Sequence, residues 1–315
     1  MEHDFVKNGK IFFSEVALPD RNEDSVTVLT NLIRAMDARM SPDEKYNKNR
    51  NEATDDLSAA CESAFPGHNP RVFIYGSCIN GFGSKTSDVD CFIMTRCDLQ
   101  NKNSYFNPML KTIRKSKKFE LLETVRRAQV PIITIKHNNG IEMDVSFAND
   151  KDPKEDVLEN SVLLNSYARS SDKITAVGRF LKFVLSCEPV YGTAKMAGLS
   201  SYSHVIMFLY FLLHHSKYKI KHVPVVRPLV DLSENEIAQS EGEIFLDFLQ
   251  FYSCQFDSAR TAIDIRPQQK TPPGKGRKPE IWTIEDPIIE KNLGKTMPPG
   301  KSTCSFARSF LLIYG

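Results

Sequence analysis

The stretch Gly76-Ser-Cys-Ile-Asn-Gly-Phe-Gly-Ser-Lys-Thr-Ser-Asp-Val-Asp90 decides the fold of this chain. The apolar run Val72–Tyr75 precedes it and predicts a buried strand, and Val89–Met94 predicts a second one. Gly76 allows a sharp turn between them. Ser77 stands where a short helix should begin, and the first N–H groups of a helix lack internal partners. The segment therefore predicts an anion site.

Asp88 and Asp90 stand two positions apart at the head of the second strand. Residues i and i+2 of a strand point to the same face, so the two carboxylates should project together. Mg²⁺ prefers one or two carboxylates combined with substrate phosphates. One segment therefore indicates a site for a magnesium-bound nucleoside triphosphate, with a solvated Asp-x-Asp turn as the alternative.

A third carboxylate is expected from a hairpin further along the chain. Pro131–Lys136 and Ile141–Phe147 flank an Asn-Gly pair at Asn139, which is typical of a type I′ turn. Apolar and polar residues alternate along the second arm, so Asp144 should face away from the core. Glu142 lies on the same face and is a rival, and an ordinary exposed aspartate is the alternative.

Composition restricts the class of protein. The 315 residues are 41% hydrophobic and 25% charged, as in globular proteins of one large or two ordinary domains. The net charge of +2 provides no general basic field, so a polyanion site must be a local patch. Seven scattered cysteines and no evident signal peptide predict an intracellular, cytoplasmic protein, without excluding nuclear or granule-associated locations. The longest apolar run, Val205–Leu213, predicts a buried helix and no membrane partner.

Periodicity and capping signals predict the remaining elements. Ser41 should cap a helix with Pro42 at its first position and Glu44 completing a capping box. Lys151–Glu159 should be a charged crossing between lobes. Helices are expected over Ser25–Met40, Ser41 to about Phe65, Pro108–Lys118, Asn160–Ala168, Ile174–Cys187, His204–His215, Gly242–Phe256 and Ser305–Ile313, strands over Phe119–Ala128 and Ile281–Ile284, and an irregular basic loop over Lys270–Pro279.

Several motifs in order give the chain a family resemblance. The Gly-Ser turn followed by Asp-x-Asp resembles the signature of the DNA polymerase β-like nucleotidyltransferases. Gly198-Leu-Ser-Ser-Tyr202, Gly242-Glu-Ile-Phe-Leu-Asp-Phe-Leu-Gln-Phe-Tyr252 and Ile284-Glu-Asp-Pro287 with Asn292 resemble later motifs of one branch. From about Leu29 onward the chain therefore resembles the terminal RNA nucleotidyltransferases, which comprise cytoplasmic poly(A) polymerases and terminal uridylyltransferases.

The resemblance implies an α+β fold with two lobes. A small mixed-sheet lobe carries the aspartates, and a helical central lobe, of the poly(A) polymerase-associated kind, closes the nucleotide cleft. The expected domains are an N-terminal helical region that packs on the central domain (1–47), a nucleotidyltransferase catalytic domain (48–150) and a helical central domain (151–315). Asp144-Val-Ser-Phe resembles the third-aspartate strand of the family, which favours Asp144 over Glu142.

The resemblance also implies the site residues. Asp88, Asp90 and Asp144 would be the catalytic residues and would hold two Mg²⁺ (or Mn²⁺) ions. The nucleotide-binding residues would be Gly76, Ser77, Asn160, Ser161, Lys182, Ser201, Tyr202, Lys291 and Asn292.

Individual roles follow by position in the motifs. Asn160 and Ser161 would contact the ribose hydroxyls, Lys182 and Ser201 would bind the triphosphate, and Tyr202 would stack on the base. Helix caps, a solvated lysine and a core tyrosine are the alternatives. The second lysine that the family often carries one turn after the first is replaced here by a serine at position 186.

The implied reaction is template-independent addition of ribonucleotides to RNA 3′ ends. Members that favour UTP typically carry a histidine before the asparagine of the Glu-Asp-Pro…Asn segment, whereas this chain has Lys291 before Asn292. ATP is therefore the expected nucleotide. The alternatives are uridylyl or mixed U/G tailing, a catalytically weak nucleotide- or RNA-binding scaffold, 2′-5′ oligoadenylate synthesis, and an ordinary α/β metabolic enzyme.

The expected partners are an RNA 3′ end and a nucleoside triphosphate. No RNA-recognition module, zinc knuckle or KH loop is evident, so an RNA-binding or scaffold protein could supply target choice. Two basic patches, Arg114–Lys118 and Lys270–Lys278, are candidate RNA contacts, with solubilising charge as the alternative.

Overall fold

The computed structural model describes residues 23–95, 102–128, 130–148, 154–187, 199–223, 236–258, 260–267, 282–289 and 291–296. The chain divides into two compact units. The sheet unit is Met40–Ser166, and the helical unit combines the residues up to Arg39 with those from Tyr167 onward. The expected α+β class is confirmed.

Helices and strands of the described residues occur in the order predicted for a sheet lobe followed by a helical lobe. They are α1 (Glu23–Met40), α2 (Glu44–Ala64), β1 (Arg71–Tyr75), β2 (Val89–Met94), α3 (Lys102–Lys115), β3 (Phe119–Val125), β4 (Ile132–His137), β5 (Glu142–Phe147), α4 (Glu155–Arg169), α5 (Asp172–Cys187), α6 (Ser201–His214) and α7 (Glu241–Gln250).

The five strands form one mixed sheet in the order β1-β2-β5-β4-β3. Neighbouring strands are antiparallel except β2 and β5, which are parallel and pair Val89 with Met143. Val89, Met143 and Val145 are buried with Leu57 of α2 and Phe106 of α3. Strand residues alternate between the two faces of a sheet. Because Val89, Met143 and Val145 face this core, their chain neighbours Asp90 and Asp144 face the other side of the sheet.

The helical unit is organised around α6, in which every residue from Ser203 to Leu213 is buried, as the apolar run predicted. A capping box of Ser240 and Glu243 begins α7. Helix α1 packs closely against this end of α7. A Cβ on Gly242 would lie only 2.6 Å from Thr30 Oγ1, so a larger residue would not fit there without a shift.

Two predicted helix starts are wrong. Asp43, not Ser41, is the N-cap of α2, because its carboxylate accepts the Tyr46 N–H at 2.7 Å and a negative charge is favoured at a helix N-terminus. Helix α3 begins at Lys102, so Pro108 lies inside it rather than at its start. Buried Phe106 and other apolar residues of α3 contribute roughly 1.5–3 kcal/mol each, which offsets the roughly 3 kcal/mol cost of an internal proline.

The expected crossing over Lys151–Glu159 is also partly wrong, because α4 already begins at Glu155. Two acidic residues in its first turn, Glu155 and Asp156, suit the positive end of a helix.

The predicted helix Gly242–Phe256 is shorter than expected. Helix α7 ends at Gln250, and the chain continues only as a π-helical turn, Phe251–Gln255.

The hairpin is confirmed, but its turn type is not. Of the three loop residues from Asn138 to Gly140, only Gly140 has a positive φ, 97°. A type I′ turn needs two consecutive residues in that region. The loop instead has three residues, with Gly140 donating its N–H to His137 O and Asn139 Oδ1 accepting the N–H of Ile141.

Three further predictions have different outcomes. Ile284 forms an isolated parallel bridge with Ile263 rather than a strand. The predicted loop Lys270–Pro279 and helix Ser305–Ile313 lie outside the described residues. In the described part of the chain, no helix has the length and hydrophobicity needed to cross a membrane.

Candidate active site

The three candidate aspartates lie at or near the N-terminal ends of the interior strands β2 and β5. This end of the two strands is called the sheet edge below. Asp90 and Asp144 are direct partners in the parallel β2–β5 register, and Asp88 lies just before β2. Thr134 on β4 donates its hydroxyl to Asp144 Oδ1 at 2.7 Å. The rival Glu142 is exposed and forms an ion pair with Lys136 at 2.8 Å. The register therefore places Asp144, not Glu142, beside Asp90.

The edge is electrostatically unfavourable for carboxylates alone. Burial raises the pKa of the half-buried Asp144 carboxyl, and the Thr134 hydrogen bond opposes that shift. The negative charge of Asp88 raises the Asp144 pKa further, since like charges disfavour ionisation. A cation bound here would relieve this repulsion.

The Gly-Ser turn forms the second part of the site. Gly76, Ser77 and Cys78 form a single 3₁₀ turn, so the short helix predicted at Ser77 is only one turn long. Gly76 has a φ of +70°, and a Cβ there would lie 2.5 Å from Asp90 Oδ2. Only glycine allows the turn to lie against the carboxylate in this way.

Side chains from α2 hold the two loops of this edge. The Tyr46 hydroxyl donates to Ser87 O at 3.1 Å, immediately before Asp88. The Arg50 guanidinium reaches Cys78 O at 3.5 Å. Sequence reasoning missed both residues, because a helix outside the motif carries them and their spacing has no signature.

Side chains from α4 hold the same turn from another side. Ser161 Oγ accepts the Gly76 N–H at 2.8 Å and donates to Val157 O at 2.7 Å. Asn165 Nδ2 donates to Ile79 O at 2.7 Å. The predicted ribose contacts, Asn160 and Ser161, are thus neighbours on α4, but Ser161 is buried whereas Asn160 is half-exposed.

The candidates on α5 and α6 belong to the helical unit. Lys182 on α5 is half-exposed. Ser200 caps α6, so Ser201 is its exposed first residue. The Tyr202 hydroxyl donates to Asp286 Oδ2 at 3.3 Å.

Lys291 and Asn292 lie in a loop with its own internal hydrogen bonds. Asn292 Oδ1 accepts the N–H groups of Ile284 and Gly294 at 3.0 and 2.8 Å. The exposed Lys291 accepts the Asp286 N–H through its backbone carbonyl at 2.9 Å. The side-chain oxygen of Asn292 therefore maintains the loop that presents Lys291.

Among the described residues, no group of three or more His, Cys, Asp or Glu side chains is arranged so that it could hold a metal ion by itself. An Mg²⁺ site completed by substrate phosphates needs only one or two carboxylates from the protein. The adjacent Asp90 and Asp144, in a region of accumulated negative charge, fit such an open site.

One of the two predicted basic patches lies in the described part of the chain. Arg114, Lys115 and Lys117 are exposed, whereas Lys118 forms an ion pair with Asp56 at 2.9 Å. The patch Lys270–Lys278 lies outside the described residues.

Both units match known families. Residues 29–169 match the family of the mitochondrial-like poly(A) RNA polymerase central palm domain. Residues 241–292 match the Cid1 family of poly A polymerases.

Relatives of two kinds are found among characterised proteins. Terminal uridylyltransferase 4 of Mus musculus is 26% identical over 71% of this chain and 15% of its own length. Poly(A) RNA polymerase GLD2 of Danio rerio is 25% identical over 72% of this chain and 50% of its own length. The chain thus spans half or less of these relatives.

Solved structures share the fold. A crystal structure of the Cid1 poly(U) polymerase with MgGTP bound matches with a TM-score of 0.75 and 19% identity, over 91% of this chain and 93% of that one. A structure of Cid1 with its short product ApU matches with a TM-score of 0.74 and 19% identity, over 92% and 93% of the two chains.

Proposed function

Since the chain is related to the terminal RNA nucleotidyltransferases, we propose that it adds ribonucleotides to RNA 3′ ends without a template. The observation that carries the proposal is the Asp90–Asp144 pair beside the Gly76 turn. It combines a cation site with backbone N–H groups suited to phosphates. A cytoplasmic location is part of the proposal.

The reaction is a nucleotidyl transfer. The RNA 3′-hydroxyl gives up its proton to solvent, and its oxygen bonds to the α-phosphorus of the nucleotide. The bond between the α-phosphorus and the oxygen that bridges to the β-phosphate breaks, and pyrophosphate leaves with that oxygen. Asp88, Asp90 and Asp144 would hold Mg²⁺ or Mn²⁺, which when bound lowers the pKa of the attacking hydroxyl and offsets charge on the leaving group.

The protein's own part is positioning. Thr134 fixes the Asp144 carboxylate, and Tyr46 fixes the backbone just before Asp88. Gly76 brings the Gly-Ser turn against Asp90. The Ser77 hydroxyl and N–H would then bind the phosphates of the nucleotide. Groups held in place before the reaction contribute most to such a transfer.

The contacts expected from the helical unit stay predictions. Lys182 and Ser201 are proposed for the triphosphate, Tyr202 for the base, and Lys291 and Asn292 for further contacts with the nucleotide. On the sheet unit, Asn160 is proposed for the ribose, because its side chain is partly exposed.

We favour ATP as the nucleotide because Lys291 stands where a histidine accompanies UTP preference. A lysine ammonium is a donor only and can serve acceptors on several bases, so mixed or U/G tailing is the second candidate. The relatives include both poly(A) polymerases and uridylyltransferases. Comparing kcat/KM for the four ribonucleotides on one RNA primer tests the preference, and Lys291→His should move it toward UTP.

A catalytically weak scaffold of the same fold is the other alternative. It draws support from Ser186, whose hydroxyl bonds to Phe183 O where the family often has a second lysine. If the chain is an enzyme, we propose that a local basic surface or an RNA-binding or scaffold partner supplies target choice.

The test is incubation with a short RNA and each ribonucleotide separately, read on a sequencing gel. Extension that requires Mg²⁺ or Mn²⁺ and a free 3′-hydroxyl supports the proposal, and the same RNA with a 3′-phosphate is the control. Tight RNA binding with no extension for any nucleotide would favour the scaffold.

A further inference from the structure

Helix α4 contacts the Gly-Ser turn at both ends. Ser161 accepts the Gly76 N–H, and one helical turn later Asn165 donates to Ile79 O. The two bonds, 2.8 and 2.7 Å long, have ordinary hydrogen-bond geometry. Residues i and i+4 of a helix lie on the same face, so one face of α4 spans the whole turn.

The Ser161 hydroxyl takes part in two hydrogen bonds within the sheet unit. A serine hydroxyl has a single proton, and Ser161 donates it to Val157 O at 2.7 Å. One of its lone pairs accepts the Gly76 N–H, and the side chain is buried, with 3% of the residue exposed. In this arrangement, a ribose hydroxyl could contact Ser161 only by donating to its remaining lone pair.

The Gly-Ser turn also lies against Asp90, the candidate metal ligand. Gly76 is so close to Asp90 that a Cβ would lie 2.5 Å from Oδ2 and 3.3 Å from Cγ. A shift of Gly76 would therefore move the backbone N–H groups of the turn relative to this carboxylate. The α4 contacts fix that relation.

We propose that Ser161 and Asn165 are positioning residues that hold the turn Gly76–Ile79 against Asp90. The proposal rests on the proposed nucleotidyl transfer, and it gives Ser161 a role different from the ribose contact that the family resemblance implies.

Two readouts separate positioning from ribose binding. Loss of a ribose contact reduces the discrimination between ATP and 2′-deoxyATP, because the variant no longer senses the 2′-hydroxyl. Loss of a positioning contact lowers kcat by the same factor for ATP and 2′-deoxyATP. It also speeds hydrogen exchange at the Gly76 amide, a change that needs no metal or nucleotide.

The experiment compares Ser161→Ala, Asn165→Ala and Ser161→Thr with wild type. Ser166→Ala is the matched control, since the Ser166 hydroxyl bonds only to Val162 O of its own helix, at 3.1 Å, among the bonds described for it. Each variant is measured for kcat with ATP and 2′-deoxyATP, and for deuterium uptake in the peptide that contains Gly76.

We expect Ser161→Ala and Asn165→Ala to lower kcat by about tenfold to a hundredfold with both nucleotides, as small misplacements near a reacting centre do. Their ATP/2′-deoxyATP ratios should match wild type, and the Gly76 peptide should exchange faster. Ser161→Thr should restore kcat, and Ser166→Ala should behave as wild type throughout.

The proposal would be overturned in favour of ribose binding if the ATP/2′-deoxyATP ratio of kcat fell toward one in Ser161→Ala while hydrogen exchange in the Gly76 peptide stayed unchanged. Full activity and unchanged exchange in Asn165→Ala would also overturn it. If Ser161→Ala does not fold, Asn165→Ala and Ser161→Thr decide by the same criteria. Wild-type protein that adds no nucleotide would refute the proposed function, whereas the exchange data would still test the α4 contacts.

Discussion

The two compact units present their candidate residues in different ways. In the sheet unit, strand register alone brings Asp90 beside Asp144, where burial and the negative charge of Asp88 disfavour the ionised Asp144 carboxylate. In the helical unit, Tyr202 and Asn292 also take part in hydrogen bonds that organise their own unit. The carboxylates of the sheet edge disfavour folding and are suited to a bound cation. The hydrogen bonds of Tyr202 and Asn292 stabilise the folded helical unit, whether or not a ligand is bound.

The difference predicts how substitutions should behave. Neutralising a carboxylate of the sheet edge should remove activity without loss of stability, because functional groups that repel each other do not stabilise a fold. Substitutions at the helical-unit candidates should reduce stability and nucleotide affinity together.

The largest effect is expected from Asp144→Asn. The amide has no charge to hold a cation, so extension should slow by about a thousandfold, or about 4 kcal/mol. Its melting temperature should equal or exceed that of wild type, since burial already disfavours the charged carboxyl. Primer extension and thermal unfolding measure the two quantities.

Glu142→Gln is the matched control for that variant, because it neutralises a carboxylate on the same strand and face. It removes an exposed ion pair with Lys136, which contributes at most about 1 kcal/mol, and the weakest of the negative charges that raise the Asp144 pKa. Extension within about twofold of wild type is expected. Inactive Glu142→Gln with active Asp144→Asn would reverse the assignment.

The helical unit should lose stability in mild acid through His204. Burial lowers the pKa of this side chain from 6.5 to about 4, although its hydrogen bond with Ser200 O opposes the shift. Between these values the unfolded chain binds a proton that the folded chain does not. Stability should therefore fall as the pH drops from 6.5 to 4, by on the order of 3 kcal/mol.

His204→Asn, which cannot titrate, should flatten this pH dependence. Urea unfolding at several pH values between 7.5 and 4 measures it, with the exposed His68→Asn as control. Equal slopes for wild type and His204→Asn would show that another group is responsible.

A smaller effect is expected at Tyr202. Tyr202→Phe removes the hydrogen bond to Asp286 and should lower stability by about 1 kcal/mol with a small rise in nucleotide KM. Tyr202→Ala also removes the ring, and a lost stacking contact of about 1–3 kcal/mol corresponds to a KM about 5- to 150-fold higher.

Tyr218→Phe controls for stability effects in the same unit, since the Tyr218 hydroxyl bonds to the buried Asp247 at 2.7 Å. It should lower stability without changing the nucleotide KM. A KM that rises as much in Tyr218→Phe as in Tyr202→Ala would remove the stacking role.

Much of the sheet unit was predictable from sequence because its signals are local. The strand Val89–Met94 and the hairpin around Gly140 follow from alternation and turn residues, and together they place Asp144 on the correct face. Local competition explains the errors: Asp43 outcompetes Ser41 as a cap, and buried apolar contacts outweigh the disruption by Pro108.

The supports of the site were not predictable. Tyr46, Ser161 and Asn165 act through contacts with backbone groups more than 40, 80 and 80 positions away in the chain. No periodicity or spacing encodes such a contact. The resemblance to a family supplied a role for Ser161, but only the structure shows that its hydroxyl contacts the backbone of Gly76 and Val157.

The most direct test of the central claim is a paired measurement on Asp90→Asn of primer extension and thermal unfolding. The claim is that this sheet edge serves chemistry and not folding. It predicts that wild type extends a 3′-hydroxyl RNA, that Asp90→Asn is slower by about a thousandfold, and that both proteins melt at the same temperature. Wild-type extension by Asp90→Asn, or a loss of activity explained by its unfolding, would contradict the claim.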